Sequence, residues 1–214
     1  MEYASYKIID TELVYSVVEF GGKSTPVWRQ AKWSEGEYQE FVRGNGCGHC
    51  CTAMALNLHG IEIDPHEEFT LCMKLWGEPV LPQRGYQTIS GITKILGHFG
   101  VKAEGFGVPT RDEAAGRIEA ALNDGKLVIF WSHINEDFPD NPFSAGEHYV
   151  MAVGYTEDGR ILVANSSMKR APEGVQFVDI NTIARALCLG AAPEDMTWGE
   201  RGPRERCAGY VVVG

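Results

Sequence analysis

Positive charge is scarce in this sequence, and long apolar runs are missing from it. The chain has 19 Lys and Arg residues against 29 Asp and Glu residues, a net charge of -10. Because such a chain repels phosphate backbones, the composition predicts no nucleic-acid partner. No run of about 18 apolar residues is present, so no membrane span is predicted. The N-terminus lacks the basic and apolar parts of a signal peptide. With Met1 as the native start, this predicts a cytoplasmic protein.

The sequence also lacks a disulfide framework, internal repeats and a Gly/Ser-rich linker. Three of the six cysteines crowd together at positions 47, 50 and 51, while Cys72, Cys188 and Cys207 lie singly in apolar surroundings. Scattered cysteines of this kind are typical of reduced core residues. Hydrophobic residues make up 44% of the chain, enough to bury a core without cross-links. A single domain over residues 1–214 is therefore predicted.

Hydrophobic periodicity and capping residues predict mainly helices in the first half and strands in the second. One or two strands are predicted over residues 6–20, then a loop with a short helix over 23–46. Predicted helices cover 47–59, 64–76, 88–99, 111–123 and 181–187; predicted strands cover 126–131, 147–156, 160–165, 175–178 and 208–213; a loop is predicted over 190–206. This order predicts the α+β class: N-terminal strands and loop over 1–46, a helical lobe over 47–125 and a sheet lobe over 126–214.

The chemistry-bearing feature of the first half is Gly-Cys-Gly-His-Cys-Cys over residues 46–51, which opens an apolar helix. A cysteine in the first helical turn feels the partial positive charge of the unpaired amide groups, so its thiolate is stabilised. Gly46 and Gly48 leave room beside it for a substrate backbone. The amide of Cys47 can also point at a developing oxyanion. Cys47 is therefore the candidate nucleophile.

The matching feature of the second half is a predicted hairpin. His148 begins an apolar strand, Asp158-Gly159 is a tight-turn signal, and Asn165 ends the next strand. Pairing across this hairpin places residue 148 near residues 166 and 167, so Asn165 is expected within reach of the His148 ring. An amide there can fix the orientation and tautomer of the imidazole. Cys47, His148 and Asn165 thus form a candidate nucleophile, base and orienting residue.

The two blocks together resemble the bacteriocin-leader-peptidase-like, or double-glycine-peptidase-like, branch of the papain-like cysteine peptidases. Residues 46–56 are similar to the family's Gly-Cys-Gly-Pro-Thr-Ser-Leu-Ala-Met motif. Residues 148–165 are similar to its Gly-His-Phe-Val-Val-Leu-x-Gly-Tyr, Asp-Gly and Val-x-Asp-Pro motifs. The resemblance covers roughly residues 28–213. The chain departs from the family at His49, Cys50, Cys51, Glu147 and Asn165, where Asn replaces Asp as in papain itself.

The resemblance implies a papain-like fold and a cysteine peptidase that acts through a thioester on a peptide or amide substrate. It also implies an oxyanion-binding glutamine upstream of the nucleophile. Gln30 is the first candidate for that role, and Gln39 is the second. No cofactor or metal is implied. The sequence makes no prediction about the oligomeric state.

Other functions remain open from the sequence. Cys-Gly-His-Cys over residues 47–50 is also the active sequence of disulfide isomerases, although its polar approach does not fit a thioredoxin strand. A zinc site at Cys47 and Cys50 lacks a second ligand pair, and His49 is expected to face solvent. A catalytically inactive papain-like binding module is a third alternative. If the nucleophile is oxidised, Cys50 or Cys51 is expected to capture it as a reversible disulfide.

Overall fold

The computed structural model describes residues 2–32, 46–76, 88–134, 138–167, 169–187, 189 and 209–214. The chain begins with an antiparallel three-stranded sheet of β1 (Ser5–Ile8), β2 (Val14–Phe20) and β3 (Lys23–Trp28) in that order. The prediction of one or two strands over residues 6–20 is confirmed, with two strands. Gly21 and Gly22 make the turn between β2 and β3 with φ of 61° and 67°, a conformation that glycine adopts without steric cost.

The prediction of a loop is wrong for residues 23–28, which form β3. Pro26 breaks the strand pattern in the sequence because proline has no backbone N–H for a ladder. β3 is an edge strand of its sheet, and an edge strand tolerates a missing donor on its open side. The expected short helix is a 3-10 turn at Gln30–Lys32. The rest of the predicted loop lies outside the described residues.

Four helices follow in the described part of the chain: α1 (Cys47–Leu58), α2 (Pro65–Trp76), α3 (Ile89–His98) and α4 (Arg111–Asn123). Each was predicted to within about two residues, because helical periodicity and capping residues mark its extent, although α1 begins without a side-chain cap. At the start of α2, the amide of Glu67 donates to Asp64 Oδ1 at 2.8 Å and the amide of Asp64 donates to Glu67 Oε2 at 3.1 Å. This reciprocal pair is the predicted capping box.

A six-stranded antiparallel sheet occupies the second half of the described chain. Its order is β4-β9-β5-β6-β7-β8. The strands are β4 (Ala103–Phe106), β5 (Leu127–His133), β6 (Glu147–Tyr155), β7 (Ile161–Ala164), β8 (Val175–Val178) and β9 (Tyr210–Val213), with α5 (Ile180–Ala186) between the last two. β4 was not predicted, and it lies in the segment assigned to the helical lobe. The predicted loop over 190–206 lies outside the described residues.

The sheet is covered on both faces, and the two faces belong to separate core clusters. One cluster joins Met54 and other α1 residues to Trp131 and Met151 of the sheet. The other joins Ile118 of α4 and Ile183 of α5 to the strand positions that alternate with those. Since successive strand residues point to opposite faces, α1 lies against one face and α4 and α5 lie against the other.

The N-terminal sheet packs on the larger sheet where two glycines leave space. A Cβ atom on Gly174 would lie 2.7 Å from Cβ of Tyr15, and Gly174 also has a φ of 76°. A Cβ atom on Gly154 would lie 2.8 Å from the ring of Phe20. Gly174 therefore requires glycine, and a side chain at position 154 would force the Phe20 ring to move.

The α+β class is confirmed, with a helix that begins at a cysteine packed on an antiparallel sheet. That the whole chain forms one domain stays a prediction. In the described ranges, the helices are too short and too polar to cross a bilayer.

Candidate active site

Cys47 is the first residue of α1 and is the half-buried member of its cysteine cluster. Gly46 precedes it without a side-chain cap, and the first turn of α1 carries no acidic residue. The helix therefore directs its first amide groups and its partial positive charge towards the start of α1, and no carboxylate in that turn opposes them. Cys47 therefore lies at the helix start where the sequence placed it, and its role as the nucleophile stays a prediction.

Cys50 and Cys51 lie one turn further along α1 and are completely buried. Burial raises the pKa of both thiols well above its usual value, and the neighbouring Cys47 raises them further. A hydrogen bond with Ser166 opposes this effect at Cys50. Both side chains are therefore neutral thiols near pH 7. Their predicted role in capturing an oxidised Cys47 stays a prediction.

Gln30 reaches the same region through Ser166. The backbone N–H of Gln30 donates to the Ser166 carbonyl oxygen at 3.3 Å, and Ser166 Oγ donates to Gln30 Oε1 at 3.4 Å. Because Ser166 also contacts the Cys50 thiol, the structure brings Gln30 beside the turn of α1 that follows Cys47. Sequence reasoning missed Ser166, whose only signal is its position directly after Asn165.

The structure brings His148 and Asn165 together, as the predicted hairpin requires. β6 and β7 pair in the register Met151↔Ala164, and a bulge near Gly154 shifts the pairing by one residue. This register carries Asn165 past the end of β7 to the start of β6. His148 Nε2 lies 2.9 Å from Asn165 Oδ1 in a buried contact. The spatial part of the prediction is confirmed, while the roles of both residues in catalysis stay predictions.

The orientation of the Asn165 amide is set by its other partners. Asn165 Nδ2 donates to the carbonyl oxygen of Phe143 at 3.1 Å and to Gln176 Oε1 at 2.8 Å. Gln176 in turn uses its own Nε2 to donate to the Pro142 carbonyl oxygen at 2.7 Å, so its amide cannot be reversed without loss. Asn165 Oδ1 must therefore face His148, and it accepts the proton carried on Nε2. Nδ1 is the ring nitrogen that keeps its lone pair.

His148 is neutral in this environment. Burial lowers its pKa to about 4, against an ordinary value of 6.5, and the hydrogen bond to Asn165 partly opposes that effect. A neutral imidazole with its lone pair on Nδ1 can accept a proton near pH 7. The local chemistry at His148 therefore suits a base.

Strand alternation assigns His148 to the face of β6 opposite the one that α1 covers. The side chain of His148 alternates with Tyr149 and Met151, which pack on the α1 face, and it shares the opposite face with Val150. A direct contact between Cys47 and His148 must therefore pass around the end of β6, where that strand begins. The structure brings His148 to Asn165 and Gln30 to Ser166, and it leaves the pairing of nucleophile and base as a prediction.

We predict that Asn165→Asp destabilises the fold, although the resembling family carries Asp at this position. An aspartate has no N–H for the Phe143 carbonyl or for Gln176 Oε1, so it leaves one buried and one half-buried acceptor facing a carboxylate. Each unsatisfied buried group costs about 1–3 kcal/mol. We therefore expect the free energy of unfolding to fall by roughly 2–5 kcal/mol in urea denaturation. Asn181→Asp, at an exposed position, is the matched control and should show no comparable loss. Equal stability of the Asn165→Asp variant would contradict this account of the amide.

The expectation that His49 faces solvent is wrong. His49 is 2% exposed, and its Nδ1 pairs with Oε2 of Glu68, which is 1% exposed. The reason is that α2 packs against the face of α1 that carries His49, with the His49 ring edge-on to Phe69 at 5.0 Å. Cys72 is buried and free, as predicted. Cys188, Cys207 and Gln39 lie outside the described residues.

Comparisons with known proteins extend these observations. The model of the Peptidase_C39 like family matches residues 24–185. A search of curated proteins found no match. Among solved structures, the chain is similar to a double glycine motif protease from an AMS/PCAT transporter, solved in complex with the leader peptide. The two are 14% identical with a TM-score of 0.39, over 65% of this chain and 76% of the other. This likeness is too distant to carry an argument, whereas the family match covers most of the chain, including positions 30, 47, 148 and 165.

Proposed function

Because the chain belongs to the Peptidase_C39 like family, we propose that it hydrolyses a peptide or amide substrate through Cys47, His148, Asn165 and Gln30. Cys47 is the nucleophile, His148 is the base and acid, and Asn165 orients His148. Gln30 and the Cys47 amide bind the oxyanion. No cofactor takes part in this reaction.

In the first step, His148 Nδ1 accepts the proton of the Cys47 thiol, and the thiolate attacks the carbonyl carbon of the substrate. The charge that develops on the carbonyl oxygen is stabilised by the Cys47 amide and by the side-chain amide of Gln30. The helix N-terminus favours the thiolate before attack. These three effects lower the barrier at one position, the start of α1.

In the second step, His148 returns the proton to the leaving amine, and the carbon–nitrogen bond breaks to leave a thioester on Cys47. Water then attacks the thioester, with His148 as the base again, and releases the carboxylic acid and the free thiol. Asn165 keeps Nδ1 directed at the reaction throughout, because its Oδ1 holds the proton on Nε2.

The observation that carries this proposal is the hydrogen bond between His148 and Asn165. A buried amide that is locked by Phe143 and Gln176 selects one imidazole tautomer, and that tautomer presents a lone pair on Nδ1. A lone pair on a positioned ring nitrogen is the group that a base needs in order to accept a proton. The same arrangement orients the base in Cys-His-Asn peptidases.

Two alternatives remain for the same residues. A thiol-disulfide oxidoreductase would use Cys47 and Cys50, and an inactive binding module would use neither. The family match disfavours the redox alternative. The order of helices and strands is also not that of a thioredoxin fold. A cytoplasmic location and the absence of a nucleic-acid partner stay predictions from composition.

We predict that iodoacetamide at pH 6 alkylates Cys47 selectively in the folded chain. An ordinary thiol, with a pKa of about 8.5, is almost entirely protonated at that pH. Cys50 and Cys51 are buried and have raised pKa values, so they should react only after unfolding. Peptide mapping by mass spectrometry measures the labelled positions, and the chain unfolded at alkaline pH serves as the control in which all six cysteines react.

An insulin-reduction assay with a dithiol separates the alternatives. If the chain is a hydrolase, it should not increase the rate of insulin reduction above the rate with the dithiol alone. Reduction that disappears in a Cys50→Ser variant would favour the oxidoreductase instead. No selective labelling of Cys47 at pH 6 would favour the inactive module.

A further inference from the structure

A second cluster of reactive side chains lies between α1 and α2. It consists of His49 on α1 and of Glu68 and Cys72 on α2. Glu68 and Cys72 are four residues apart, so they lie on one face of α2, and that face packs on His49. The three potential ligand atoms lie within 4.8 Å of one another.

All three side chains are buried, which is unusual for this set of residues. Their exposed fractions are 2% for His49, 1% for Glu68 and 0% for Cys72. A carboxylate is almost never buried without a compensating charge or a metal. His49 Nδ1 contacts one carboxylate oxygen, and the Cys72 thiol lies 3.5 Å from the other. Glu68 therefore has two neighbours, and both are residues that bind metals.

We propose that His49, Glu68 and Cys72 form a metal site that binds Zn²⁺. Imidazole nitrogen, carboxylate oxygen and thiolate sulfur are the three ligand types that zinc takes in proteins, at about 2.0–2.3 Å. Ligand atoms within 4.8 Å of one another come within reach of one such ion after small side-chain adjustments. Three protein ligands with a fourth position for water or another donor is a common zinc arrangement.

The ligand set also argues against other cations. Calcium and magnesium take oxygen ligands, and only one of the three side chains supplies oxygen. Borderline ions such as Zn²⁺ and Co²⁺ fit a mixed nitrogen, oxygen and sulfur site. The bound ion would join α1 to α2 and would neutralise the buried Glu68 carboxylate. This site shares no ligand with the proposed peptidase site, because Cys47, His148 and Asn165 are not among its ligands.

The test is titration of the metal-free full-length chain with Zn²⁺ in competition with a chromophoric chelator. We expect one equivalent to bind. Loss of a partner outside the first coordination shell weakens metal affinity about 10–100-fold, so loss of a ligand in Glu68→Gln should weaken it at least about 100-fold. Glu67→Gln is the matched control, because Glu67 is the adjacent, exposed carboxylate, and it should bind zinc as the wild type does.

Cobalt identifies the sulfur ligand. The Co²⁺-loaded wild type should show a thiolate-to-cobalt charge-transfer absorption, which Cys72→Ser should lose and Cys51→Ser should keep. Circular dichroism reports whether each variant is folded. X-ray absorption of zinc bound to the wild-type chain needs no variant and should give one sulfur neighbour among nitrogen or oxygen neighbours.

Three results would overturn the proposal. The first is a wild-type chain that binds no zinc, which would leave His49 and Glu68 as a buried ion pair. The second is zinc binding that is equally tight in Glu68→Gln and Glu67→Gln. The third is two or more sulfur neighbours around the ion, which would place it at the cysteines of residues 47–51. Because none of these measurements uses hydrolysis, failure here leaves the peptidase proposal untouched.

Discussion

Cys47→Ala is expected to abolish hydrolysis, with a loss of at least about 10⁴-fold in rate against a peptide library, because removal of a nucleophile leaves only the binding and oxyanion contributions. The thioester cannot form without the sulfur atom, so no slower route through the same intermediate remains. The measurement is mass spectrometry of a proteome-derived peptide library before and after incubation, which detects cleavage whatever sequence the enzyme prefers.

Cys51→Ala is the matched control for this prediction. Cys51 lies in the same helix and is fully buried, and it has no role in the proposed reaction. Its removal tests whether a cysteine-to-alanine change in α1 harms activity through packing alone, and we expect the variant to cleave the library. Cleavage that persists in Cys47→Ala would exclude Cys47 as the nucleophile. No cleavage by the wild type under reducing conditions would favour the inactive module.

Local signals explain why most helices and the central hairpin could be predicted from the sequence. The start of α2 carries its own capping box, and Thr110 accepts from the Glu113 amide at 3.2 Å at the start of α4. The Asp158-Gly159 turn fixes the register of β6 and β7 within a few residues. That register is enough to place Asn165 near His148. This pair is the part of the candidate site that local sequence determines.

Features that depend on distant partners could not be predicted. β4 has no strong strand pattern, and it becomes a strand because β9, more than a hundred residues later, pairs with it from Ala103↔Val213 to Phe106↔Tyr210. The burial of His49 depends on how α2 packs on α1. Likewise Gln176, which orients Asn165, reads as an ordinary polar position on β8. In each case the deciding contact is nonlocal.

The proposed mechanism depends most on the position of His148 relative to Cys47. His148 shares a strand face with Val150, while α1 covers the other face. For His148 to act on Cys47, the ring must reach around the end of β6, where the ladder stops and side chains are no longer confined to one face. Its fixed tautomer supports this role, because Nδ1 is the nitrogen left for a partner other than Asn165.

His148→Gln is therefore expected to reduce hydrolysis by about 10³-fold or more, since a positioned acid–base group contributes about 10²–10⁴ and also activates the nucleophile. Iodoacetamide labelling of Cys47 at pH 6 should fall in parallel if His148 assists formation of the thiolate. Asn165→Ser, which removes the orienting amide, should also reduce the rate, but by less. Undiminished cleavage by His148→Gln would show that another group serves as the base.

The pH dependence of stability in His148→Gln shows whether a loss of hydrolysis comes from the missing base or from a damaged fold. The pKa of His148 is about 4 in the folded chain, lowered by burial from an ordinary 6.5, so the unfolded chain binds more protons between these values. The free energy of unfolding should thus fall as the pH drops from about 6.5 to about 4, by roughly 3 kcal/mol from this residue. Urea denaturation across this range should show a shallower slope for His148→Gln. If His148→Gln is stable at pH 7, shows the shallower slope and no longer hydrolyses the library, it has lost the base and kept the fold. An unchanged slope of unfolding free energy against pH would mean that His148 is not buried as a neutral imidazole.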